Sequence, residues 1–128
     1  MSLAKPDAKH SEPWPTAIAY DPAAKKLNVT FESGETFALP AEYLRVESPS
    51  AEVQGHSPSQ KVTVPGRRHV GILNIEPVGN YAVRLIFDDL HDTGIYSWRI
   101  LHELGREHAT RWETYLRALE SKGLAREP

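Results

Sequence analysis

The sequence predicts an α+β domain: small antiparallel β-sheets, one a meander and one a hairpin, with a short helix after the first sheet and two C-terminal helices packed on them. Three observations predict it. Apolar residues alternate at period two at Leu27, Val29 and Phe31 and again at Tyr81, Val83, Leu85 and Phe87, the pattern of strands with one buried face. Turn chemistry separates these runs, at Asp21-Pro22, Ser33-Gly34 and Val78-Gly79-Asn80. Near the C-terminus Trp112, Tyr115, Leu116 and Leu119 fall at i, i+3, i+4 and i+7, the apolar stripe of a helix lying on a sheet.

The elements follow in order. Residues 1–13 are rich in Ala, Lys, Pro and Ser without periodicity and read as a disordered leader, residues 14–122 as a single domain and residues 123–128 as a tail. Within the leader, His10-Ser11-Glu12 has the spacing of two ligands of an iron facial triad, but a floppy segment lacks the rigid backbone that ligands need. Residues 16–20, 27–31 and 36–39 form the meander, with Asp21-Pro22-Ala23-Ala24 as its first turn and Ser33-Gly34 as a two-residue second. Pro40 suits the first position of a helix over 41–46, with Tyr43 and Leu44 packing down, and that helix must stop before Pro49. Residues 47–66 hold three prolines among Ser, Gly and Gln, a loop long enough to suggest binding. Arg67, Arg68 and His69 read as a solvated strand entrance. Asp88, Asp89, His91, Asp92 and Gly94 then crowd a polar turn before the helices. Ser97 is placed to N-cap a helix over 98–104 that Gly105 ends. The second helix starts near Glu107, carries the i,i+4 pairs Glu107–Arg111 and Glu113–Arg117, and ends at Gly123.

Composition excludes several functions. Fifteen Lys and Arg against 17 Asp and Glu give a net charge of −2, which offers no broad attraction to nucleic acid. Without cysteine there is no disulfide, no thiolate nucleophile and no Cys-held zinc or iron–sulfur cluster. No apolar run is long enough to cross a membrane and the first residues lack a signal-peptide core, so a cytoplasmic protein is expected. Neither a phosphate-binding Gly-rich loop nor a Gly-x-Ser-x-Gly elbow occurs, so no enzyme and no cofactor are expected. The densest polar set, Asp88, Asp89, His91 and Asp92, reads first as turn-forming residues bonded to their own backbone. The alternative is a small metal-binding protein or enzyme in which His91, with His56, His69 and Asp88 or Asp92, holds a divalent ion.

Several motifs in order carry a resemblance: Trp14-Pro15-Thr16, the run from Val29 to Glu35, the run from Leu44 to Val53, Ile75-Glu76-Pro77-Val78-Gly79-Asn80-Tyr81, and Gly94-Ile95-Tyr96-Ser97-Trp98. Together the stretch from Trp14 to Leu119 resembles the gamma-butyrobetaine hydroxylase-like N-terminal domain family, a bacterial domain of unknown function. In gamma-butyrobetaine and trimethyllysine hydroxylases this domain precedes a catalytic domain that holds iron and 2-oxoglutarate, and it carries a structural zinc on three Cys and one His. The present chain ends before any such catalytic domain, so a stand-alone form is expected. The resemblance places Ser48, Ser50 and Val53 at the three Cys positions and His91 at the fourth. The family's zinc site is therefore expected to be lost, with His91 stabilising the turn against the loop from Ser48 to Val53. Relatives fused to Mrp-type ATPases that carry iron–sulfur clusters imply a protein partner of that kind, or another iron–sulfur assembly factor. The expected interaction site is Arg45, Glu47, Ser48, Ser50, Glu52, His91, Asp92 and Tyr96.

Overall fold

A computed structural model describes residues 12–128. The leader and His10-Ser11 lie outside the described residues, apart from Glu12 and Pro13; Glu12 forms an ion pair with Arg99. Strands β1 (Pro15–Asp21), β2 (Lys26–Phe31) and β3 (Thr36–Pro40) form one antiparallel sheet in the order β1-β2-β3. The first turn closes as its sequence implies, with Asp21 Oδ1 accepting the Ala23 and Ala24 amides at 3.0 and 3.1 Å. The second is a three-residue loop rather than two. The Gly34 amide donates to the Phe31 carbonyl and the Phe31 amide to the Glu35 carbonyl, a type I turn plus bulge that needs a left-handed residue; Gly34, at φ +95°, supplies it.

Helix α1 (Ala41–Val46) follows directly, with Pro40 as its N-cap rather than its first helical residue, and all six of its residues are buried. The long loop is not structureless. It contains α2 (Ala51–Gln54), N-capped by the Ser50 hydroxyl, and one 3-10 turn at Pro58–Gln60. Strands β4 (Ile72–Val78), β5 (Ala82–Phe87) and β6 (Ile95–Ser97) then form a second antiparallel sheet in that order. The second sheet is thus three-stranded where the sequence predicts a hairpin; β6 is three residues long and too short to show an alternation. Val83, Leu85 and Phe87 are fully buried as expected, whereas Tyr81 lies in the preceding turn and is exposed. The sheets are joined where the Ile72 amide donates to the Tyr20 hydroxyl at 3.1 Å.

Two helices close the structure, α3 (Trp98–Arg106) and α4 (His108–Ser121). Ser97 Oγ caps α3 by accepting the Ile100 amide at 3.2 Å, and Trp98, Leu101 and Leu104 form its buried face. Gly105 does not end α3. It lies inside the helix because Phe37 packs there: a Cβ would meet the Phe37 ring at 2.5 Å. On α4, Tyr115 and Leu119 are buried and Trp112 partly so, but Leu116 is exposed. The main core joins both sheets, α1 and α3, and a smaller one gathers Val46, Val53, Val64, Tyr115 and Leu119. Residues 125–128, expected as a tail, fold back along residues 66–68 through backbone bonds from Gly66 to Ala125 and from Arg68 to Arg126. None of the helices is long and apolar enough to cross a membrane, among the described residues.

Candidate functional site

The exit of α1 and the start of α2 meet the turn after β5, and the contact is polar and buried. Ser48 Oγ lies 2.9 Å from His91 Nε2, and His91 Nδ1 lies 3.0 Å from Glu52 Oε2. Ser48 is fully buried and His91 is 7% exposed. The pattern assigns a neutral imidazole that donates from Nδ1 to Glu52 and accepts the Ser48 hydroxyl proton at Nε2. Burial holds the His91 pKa below its ordinary value, and the Arg45 charge adds to this while Glu52 and Asp89 oppose it. Around this chain the Ser50 amide donates to Ser48 Oγ at 3.3 Å, Ser50 Oγ pairs with Thr93 Oγ1 at 2.7 Å, and Gln54 Nε2 donates to the Ser48 carbonyl at 2.8 Å. Gly94 makes the close approach possible, since a Cβ there would lie 2.5 Å from Ser48 Oγ. The buried Tyr96 hydroxyl donates to the Leu44 carbonyl at 2.6 Å, and its burial pushes its pKa up.

A charged web lies beside the hydroxyl network. Asp89 Oδ2 accepts from Arg45 Nε and Arg67 Nε, both at 2.7 Å, and Asp89 Oδ1 accepts the His91 amide. Burial works against the Asp89 carboxylate, but these donors outweigh it and hold its pKa below the usual range. Glu47, with its side chain 5% exposed, binds Lys61 at 2.5 Å and Arg111 at 3.3 Å. Arg68 pairs with Glu127, so the basic spot at 67–69 has its guanidinium groups engaged internally. Of the eight residues expected to contact a partner, Arg45, Glu47, Ser48, Ser50, His91 and Tyr96 are buried and bonded to their own chain. Glu52 and Asp92 reach solvent, with side chains 63% and 51% exposed.

The donor set at Ser48, Ser50, Val53 and His91, the positions that the resemblance implies for the family's zinc ligands, does not fit zinc. It consists of two hydroxyls, the buried Val53 side chain and one imidazole with both nitrogens already engaged. Among the described residues no three metal-capable side chains are gathered. His56 is exposed on the loop and His69, 66% exposed, faces Glu127, so neither joins His91. The order Ser48, His91, Glu52 is also that of a hydrolase triad. Ser48 is fully buried in this structure, however, and its hydroxyl is held between the Ser50 amide and the His91 ring.

Sequence reasoning brought Ser48 and His91 together through the resemblance, but not Glu52 as the second partner of the imidazole. Arg67 and Asp89, 22 residues apart, gave no spacing signal either.

Comparison with known proteins places this geometry in context. The model of a family described as gamma-butyrobetaine hydroxylase-like, N-terminal, matches residues 18–102. Two solution structures are each 43% identical with a TM-score of 0.80; one match covers 92% of this chain and 93% of the other, the second 95% and 91%. A crystal structure from Acidithiobacillus ferrooxidans, of a protein of unknown function in the DUF971 family, is 36% identical with a TM-score of 0.60, covering 71% of this chain and 91% of that one. No curated protein matches.

Proposed function

The chain belongs to the gamma-butyrobetaine hydroxylase-like N-terminal family, and on that premise we propose that it is a non-catalytic accessory module of the cytoplasm that binds a protein partner. The partner is an Mrp-type ATPase or another iron–sulfur assembly factor, and the contact face is the one carrying Glu52, Asp92 and the turn after β5. One observation carries the reading. Ser48, Ser50 and His91, three of the four residues that the resemblance sets at the family's zinc-ligand positions, are buried and bonded to their own chain, while the turn above them holds exposed side chains on a fixed frame.

The test is isothermal titration of the protein against the Mrp-type ATPase encoded in the same genome. A one-to-one complex is expected, weakened roughly tenfold or more when Glu52→Lys and Asp92→Lys are combined. No heat of binding for the unaltered protein would remove that ATPase as partner. A hydrolytic activity of the purified protein that is lost in Ser48→Ala would overturn the non-catalytic reading.

A further inference from the structure

The turn after β5 contains a residue that turn chemistry does not favour. The Leu90 amide donates to the Phe87 carbonyl at 3.0 Å and the Phe87 amide to the His91 carbonyl at 3.0 Å. This is the bonding pattern of the Phe31–Glu35 turn, where the left-handed position is filled by Gly34. Here the equivalent position is Leu90, at φ +71°, a conformation that a side chain with a Cβ adopts at a cost. Nothing in the fold recovers that cost by burial. Leu90 is 79% exposed, more than any other large apolar residue among those described.

The frame beneath Leu90 is rigid. Asp89 is gripped by Arg45 and Arg67, and Asp88 Oδ2 accepts the Gly71 amide at 3.0 Å. His91 is locked between Ser48 and Glu52. The backbone that carries this isobutyl group is fixed outward before any encounter, which reduces the ordering cost of docking. Its surroundings are mainly acidic: Asp88 is exposed beside it in the chain, Asp92 follows two residues on, and Glu52 reaches the turn through the His91 ring, against Arg67 and Arg84, which are partly exposed and face Asp89 and Asp92.

We propose that Leu90 is the anchor of the docking surface, inserting into an apolar pocket on a protein partner whose rim carries Lys and Arg. The proposal rests on the accessory-module reading above and adds the anchor residue and the chemistry of the partner surface. Strain without burial and a rim in which exposed carboxylates outnumber basic groups are together what an anchor with a mainly acidic border offers.

Leu90→Gly separates the roles, because it removes the side chain and relieves the backbone at once. Its urea midpoint is expected to rise, while its affinity for the Mrp-type ATPase falls roughly tenfold or more. The affinity of the unaltered protein is expected to weaken as salt is raised. If the ATPase binds the unaltered protein and Leu90→Gly equally well, the anchor is wrong and the accessory reading stands. If the ATPase binds neither, that partner is wrong. A photo-reactive phenylalanine analogue at position 90 of the full chain, irradiated in its native cells, then decides the anchor. Sequencing of an adduct on an apolar segment flanked by Lys or Arg supports it, and no protein adduct, or one on an acidic segment, overturns it.

Discussion

His91 shows how one buried side chain can join two segments far apart in the chain. Its two nitrogens tie the α1–α2 segment to the turn after β5, Nδ1 to Glu52 and Nε2 to Ser48. Burial lowers its pKa, so the folded state prefers the unprotonated form. The stability it supplies is complete above the unfolded value of about 6.5 and is lost as pH falls through the lower folded value. His108, stacked on Tyr43 and also lowered by burial, acts in the same direction. The urea midpoint should therefore drop between about pH 7 and about pH 5, with a smaller drop in His91→Gln and the smallest when His108→Gln is added. A His91→Gln protein with the full pH slope would show that His91 is not titrating. His91→Ala leaves the buried Ser48 hydroxyl without its acceptor and should cost about 1–3 kcal/mol at neutral pH, read from the same unfolding curves.

At the scale of elements, the segment 48–53 can be tested by asking it to hold a metal. Ser48→Cys, Ser50→Cys and Val53→Cys together with the native His91 supply three thiolates and one imidazole, the set a closed zinc site uses. Elemental analysis should find about one zinc per chain in the triple variant and far less in the unaltered protein, and added zinc should raise the melting temperature of the variant alone. A folded triple variant that takes up no zinc would mean that these positions are not equivalent to the family's ligands. The same segment shows what was legible. Helix α1 could be read from Pro40 and Pro49, which bound it on both sides, and the cap on α3 from Ser97, because both signals are local. Gly105 misled because the same residue type serves as a helix stop and as room for a neighbour; only the position of Phe37, brought across from β3, decides which. Leu90 was invisible for a related reason: its left-handed backbone is imposed by the bonds of Phe87 and by the grip on Asp89, while its own side chain argues against that conformation. Local chemistry can be read along the chain, but contacts made across it cannot.

At the scale of the whole molecule, the last residues are tied to the elements they lie on. Arg126 makes a two-pronged contact with Glu42, at 2.9 and 2.7 Å, and its guanidinium sits 5.1 Å from the Trp112 ring centroid. This places one side chain across α1 and α4 while the backbone beside it pairs with residues 66–68. Glu42 has its side chain only 7% exposed, so its carboxylate depends on this partner. Removing Arg126 leaves that charge buried and unpaired. Breaking a fully buried pair costs about 3–5 kcal/mol, but Arg126 is itself one-third exposed, so Arg126→Ala should cost roughly 2–3 kcal/mol. Arg126→Lys keeps the charge but loses the planar fork and the ring contact, and should recover less than half of that. Glu42→Gln in the Arg126→Ala background separates the causes: if the loss comes from an orphaned carboxylate, neutralising Glu42 restores most of it, and if it comes from packing on Trp112, it restores none. Unfolding midpoints of the four proteins in urea decide between them. Recovery would mean that residues 125–128 are a structural strap that closes the fold.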